Sequence, residues 1–202
     1  MATTILRCDT VPEWDRVPVL PVAHYSWGGD YRPETTAQMV WIPERGFLVR
    51  MTTKEVNPLP VYMSGTDPVH EDSCMECFIN VAPDTPGTGY LNFETNANGA
   101  LHCKYGTGRG AGRKPLSEFG AVLPAVTIEK TADSWSCQYW IDNELIQAVY
   151  GIPAMKTGDK IRANFYKCGD KTEFPHYGSW MPIDTPQPDF HRPEFFGELI
   201  VG

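Results

Sequence analysis

The chain has 202 residues, with 17 Lys and Arg against 25 Asp and Glu, a formal net charge of -8, and 18 Gly and 18 Pro. An excess of carboxylates argues against a nucleic-acid backbone as partner and for neutral or cationic ligands. Six Trp, nine Tyr and nine Phe among so many turn formers describe short strands rather than a helical bundle, so the expected class is all-β, in one domain covering 1–202.

The opening, MATTILRCDTVPEWD, is polar by its ninth residue and matches neither a signal peptide nor a membrane span. The expected location is cytoplasmic, or secreted if an export signal has been removed. Thr4 to Cys8 is an edge-strand candidate, and the Pro-bearing stretch from Val11 to Pro21 should wrap the outside. Val22 to Trp27 reads as a strand ended by Gly28-Gly29-Asp30. Thr36 to Ile42 and Gly46 to Thr53 both alternate and are joined by Pro-Glu-Arg-Gly, which predicts a hairpin. Asn57 to Pro68, with three prolines, should be a long loop forming a wall of any site near the next strand.

The stretch from His70 to Asn96 predicts two strands around a Pro/Gly loop. In the second, Tyr90, Asn92, Glu94 and Asn96 share one parity and Leu91 and Phe93 the other. In the first, Glu76 shares its side with Cys74, Phe78 and Asn80. Ala100 to Tyr105 follows, then the tip GTGRGAGRK, whose Arg109, Arg113 and Lys114 form the one basic cluster, read either as a solvated loop or as a gate over ligand. Val126 to Thr131 and Trp135 to Ile141 form another hairpin candidate. Asp142 to Val149 is the one short helix expected, capped by Asp142 or Asn143 and ended by Gly151.

Lys160 to Cys168 predicts a strand with Arg162, Asn164 and Tyr166 on one side. Glu173 to Glu194 shows no usable period, and Phe195 to Val201 reads as the final strand. The six cysteines are expected as free thiols. Cys74 and Cys77, three apart on a strand, point to opposite faces and cannot grip one metal together.

Three strands thus carry a comb of carboxylates, amides, a guanidinium and phenols, a chemistry suited to neutral polyhydroxyl ligands. In His176-Tyr177-Gly178-Ser179-Trp180, the indole of Trp180 is the expected stacking platform. A pyranose laid on it would bury ~50–80 Å² of apolar area, about 1–2 kcal/mol.

Glu71-Asp72-Ser73-Cys74-Met75-Glu76-Cys77-Phe78-Ile79, then Tyr90-Leu91-Asn92-Phe93-Glu94, Gly178-Ser179-Trp180 and Phe190-His191-Arg192-Pro193-Glu194-Phe195-Phe196-Gly197-Glu198-Leu199, in that order, resemble the landmarks of carbohydrate-binding module family 9-like domains, relatives of the DOMON superfamily. The resemblance implies an antiparallel two-sheet β-sandwich, immunoglobulin- or jelly-roll-like, binding a soluble sugar or chain end without catalysis. It implies Trp180 as one aromatic wall, Glu76 as a strand carboxylate and Lys104 as the basic contact. The other wall is an aromatic in the family; His70 stands there here, with Tyr62 the other substitute. The ligand set carried forward is Trp180, Glu76, His70, Tyr90, Asn92, Glu94, Lys104 and Arg162. Classical members also hold structural calcium through acidic loop residues, which this sequence does not locate. A glycan-processing enzyme is the implied macromolecular partner. Rival readings are a glycosidase using Glu76 and Glu94, a haem domain drawing on Met63, Met75, His70, His102 and His176, and an interaction domain that has lost sugar binding.

Overall fold

Apolar and polar residues alternate along most of the strands, and the alternation resolves into two layers. The computed structural model describes residues 3–110 and 112–202; Met1, Ala2 and, in the Gly-rich tip, Ala111 lie outside the described residues. In chain order the strands are β1 (Thr3–Arg7), β2 (Leu20–Val22), β3 (His24–Gly28), β4 (Thr35–Ile42), β5 (Gly46–Thr53), β6 (Cys74–Asn80), β7 (Tyr90–Asn96) and β8 (Leu101–Gly106). Then come β9 (Lys114–Pro115), β10 (Thr127–Lys130), β11 (Trp135–Asp142), helix α1 (Asn143–Tyr150), β12 (Lys160–Cys168), β13 (His176–Ser179) and β14 (Gly197–Val201).

One layer runs β10-β11-β5-β4, with β2 alongside β4. The other runs β14-β12-β6-β7-β8-β9, with β13 and then β3 extending it from the far end of β12. The predicted hairpins are present: β4 pairs β5 from Thr35↔Thr53 to Ile42↔Gly46, and β6 pairs β7 from Cys74↔Asn96 to Ile79↔Leu91. Gly46 is required at its turn, since a Cβ there would lie 2.4 Å from the Ile141 carbonyl oxygen at a φ of 124°. The expected edge strand is a correction. β1 is internal and parallel to two neighbours, pairing β14 through Thr3–Ile5 and β4 through Leu6–Arg7, so it joins the two layers.

The inward parity of both layers builds the main core. Met39, Trp41, Phe47 and Val49 from one side meet Cys77, Ile79, Phe93 and Phe165 from the other, and Phe93 stacks on Tyr139 at 5.3 Å. Helix α1 adds Leu145 and Ile146 to it. The Asp142 Oδ1 accepts from the Leu145 amide at 2.8 Å, and Gly151 ends the helix at a φ of 71°. The N-terminal stretch does wrap the outside, where Val17 covers Val40 and Leu48.

One core-facing residue breaks the apolar rule. The parity of β12 turns Lys167 inward with no exposure, where its Nζ lies 3.2 Å from Glu55 and donates to His176 Nε2 at 2.8 Å. Trp135 Nε1 and Ser73 Oγ also donate to Glu55. Burial works against the Glu55 charge, but Lys167 and these donors hold its carboxyl below the usual range. The buried charge is therefore paired and solvated by protein.

Candidate functional site

The opposite face of the larger layer is the comb read from the sequence. Tyr166, Glu76, Glu94 and His102 stand in one cross-strand row, and Asn164, Phe78, Asn92 and Lys104 in the next. The register therefore aims Glu76, Glu94, His102 and Lys104 the same way, and all four floor a cleft of about 650 Å³. A volume in the ~300–1,000 Å³ range is usual for a small-molecule site. The Pro-rich loop before β6 walls it with Thr66, Pro68 and His70, the opposite wall comes from Asp170, Tyr177 and the segment 187–191, and Arg109 and Arg113 reach in from the Gly-rich tip.

Arg113 organises its side of the cleft. It donates to Asn92 Oδ1, to the Tyr90 hydroxyl at 3.2 Å and to His191 Nδ1 at 3.0 Å. A guanidinium can only donate, so His191 Nδ1 accepts and the ring proton sits on Nε2. Burial, then Arg113 and Arg109, push the His191 pKa down to about 3, which keeps the ring neutral. Asn92 in turn donates to Glu94 Oε1 at 2.5 Å, fixing that carboxylate in the floor. Arg109 is paired with Asp189 at 2.8 Å. Lys104 Nζ has no ion-pair or hydrogen-bond partner among the described residues.

Glu76 differs from its neighbour. Burial, then Cys168 and Glu94, push its carboxyl well above the ordinary range, and the Cys168 thiol donates to Glu76 Oε1 at 3.1 Å. The floor thus holds a carboxyl that favours its neutral, donating form beside one that accepts. Such a pair complements sugar hydroxyls, which both donate and accept. Calcium needs hard oxygen donors. Among the described residues, the group of three His, Cys, Asp or Glu side chains near enough to share an ion is Cys74, Glu76 and Cys168, whose two sulfurs do not fit calcium.

Of the eight residues expected at the site, Glu76, His70, Glu94 and Lys104 line the cleft. Tyr90 and Asn92 are buried behind it and brace Arg113, His191 and Glu94. Arg162 and Trp180 do not reach it, and both are corrections. Arg162 lies six residues from Cys168, about 20 Å along the strand, beside Asn80 and Glu198. In β13, Tyr177 and Ser179 pair with Cys168 and Tyr166 on the cleft face. Trp180 falls on the other parity: its amide donates to the Phe165 carbonyl, and its indole packs 5.8 Å from Phe165 and against Gly197. The indole seals the core, and Tyr177 takes the cleft side.

Among the lining residues missed were Asp170, Tyr177, Asp189 and Phe190. Two-residue parity through 176–180 would have exposed Tyr177, but five prolines around it hid the strand. The haem set does not converge: Met75 is in the inter-sheet core, His176 is tied to Lys167, and Met63 is exposed on a loop, while His70 and His102 line the cleft. Arg113 and Arg109 place two guanidiniums of the Gly-rich tip along the cleft, although the Arg109 side chain is still 62% exposed to solvent.

The profile of carbohydrate-binding family 9 matches residues 8–201. No curated protein sequence matches. A candidate carbohydrate-binding protein from Bacteroides uniformis ATCC 8492 is similar in structure, with a TM-score of 0.78 and 24% identity over 100% of this chain and 98% of that one. Two structures of a family 9 module from Caldicellulosiruptor kristjanssonii share the fold. The complex with glucose has a TM-score of 0.65 at 12% identity and the complex with cellotriose 0.67 at 13%; each covers 100% of this chain, and 95% and 93% of the module respectively.

Proposed function

The chain belongs to carbohydrate-binding family 9, and from that premise we propose that the cleft between His70 and Tyr177 holds a small soluble sugar, with Glu94 and Lys104 as the principal polar contacts. It is a binding module, without turnover. The observation that carries the reading of the site is the cleft floor: Glu94 is fixed by Asn92, and the Lys104 ammonium on the same floor has no partner among the described residues, so an acceptor and a donor are presented together.

Tyr177 offers a half-buried phenol as the apolar platform in place of an indole, and His70, 46% exposed at its side chain, faces the same space. One stacked ring and three or four hydrogen bonds suit affinities in the micromolar to millimolar range. Calorimetry with glucose, cellobiose and cellotriose tests the proposal, with Lys104→Met and Tyr177→Ala as variants. Each variant should weaken the best ligand about tenfold or more. Undiminished binding in both would move the site elsewhere. Aryl glycosides should bind without releasing p-nitrophenol.

A further inference from the structure

The CxxC spacing cannot make a metal site, yet Cys74 has another sulfur beside it. Cys74 and Cys168 are directly opposed across the antiparallel β6–β12 pair, and Glu76 is two residues along β6 on the same face. All three side chains are buried, and one ligand atom from each lies within 4.8 Å of the other two. Around a tetrahedral zinc ion, with bonds of about 2.3 Å to sulfur, two thiolates stand about 3.8 Å apart, so small side-chain rotations bring this triangle to bonding distance.

We propose that Cys74, Cys168 and Glu76 form a site for a thiophilic dication of the zinc class beneath the floor of the cleft, with the fourth coordination position held by water from the cleft. Two sulfurs and a carboxylate select zinc-like ions over calcium or magnesium. Glu76 and Cys168 both border the cleft, which supplies the access route. The acid–base chemistry of the triangle agrees. Burial pushes the Cys74 thiol up to about 12, contact with Cys74 and then burial push Cys168 up, and burial does the same for Glu76. Three buried acids side by side therefore favour their protonated forms. Binding forms two metal–sulfur bonds and one metal–oxygen bond, and releases two thiol protons and one carboxyl proton to solvent. The site passes from neutral to a net charge of -1, with no change of oxidation state.

The test uses the full chain, reduced and stripped with a chelator, and cobalt(II) and zinc as the probes. One equivalent of cobalt should produce a thiolate-to-metal charge-transfer band and tetrahedral ligand-field bands, bleached by one equivalent of zinc. Zinc titration in weak buffer at pH 7 should release close to three protons. Cys74→Ala and Cys168→Ala should each lower zinc affinity at least ~100-fold. Glu76→Gln, which keeps the shape of the neutral acid and so the fold, should lower it ~10-fold and cut proton release to about two. Absence of the charge-transfer band in the folded wild-type chain overturns the proposal. So does zinc affinity in Glu76→Gln and Cys168→Ala equal to wild type.

Discussion

Glu76 and Glu94 are directly opposed across the β6–β7 ladder, yet their surroundings give them different tasks. Glu94 accepts from Asn92 and serves as an acceptor fixed in place, while Glu76, enclosed with Cys168, favours the neutral acid. With a chelator present, Glu94→Gln should weaken sugar binding by about 1.5–3 kcal/mol, since it replaces one of the two carboxylate acceptor oxygens with an amide donor. Under the same conditions Glu76→Gln, an isostere of the neutral acid, should change the dissociation constant less than about threefold. Calorimetry on the two variants decides; equal losses would mean that Glu76 works as a carboxylate.

Trp180→Ala should separate stability from binding. The indole packs on Phe165 and closely over Gly197, so its removal should cost about 3–5 kcal/mol in urea denaturation. Sugar affinity measured well below the new melting temperature should match wild type. A variant of unchanged stability that no longer binds sugar would return the indole to the ligand.

Glu55→Gln leaves the Lys167 ammonium in the core without its counter-ion, and a loss of about 3–5 kcal/mol is expected. Adding Lys167→Met to that variant should recover part of the loss, because the uncompensated charge leaves with the side chain. A double variant less stable than Glu55→Gln would show that packing of the Lys167 stem, rather than its charge, dominates.

His191 makes stability depend on pH. Its pKa falls from 6.5 to about 3 on folding, under burial and the facing Arg113 and Arg109, with Asp189 acting the other way. Between these values the unfolded chain binds the extra proton, so stability is full above pH 6.5 and is lost as pH falls toward 3. Comparing wild type with His191→Gln should show roughly 1–2 kcal/mol less loss in the variant between pH 6.5 and 4.5. Parallel denaturation profiles would remove His191 from the account.

Where one face of a strand meets the core, period-two reading worked. It placed Glu76, Glu94 and Asn92 on a common face and found both central hairpins, because a one-residue slip there would bury the polar comb. It did not assign roles within the comb. Asn92 and Tyr90 look like ligands by residue type, but their partners, Arg113 and His191, arrive from 21 and 101 residues away. No local pattern encodes those meetings. Trp180 was misplaced for a related reason: a proline-laden segment hides its pairing with β12, and that pairing alone decides which way each side chain turns. Lys167 escaped notice because its compensation, Glu55, lies on the strand-free stretch after β5.

The parallel alignment of Thr3–Ile5 with Leu199–Val201 has a mechanical corollary. Tension applied between Thr3 and Gly202 would load that contact in shear, so its hydrogen bonds must fail together rather than peel one at a time. A pull across that pair would be resisted at this seam, two strands away from the Glu76 strand that floors the hollow.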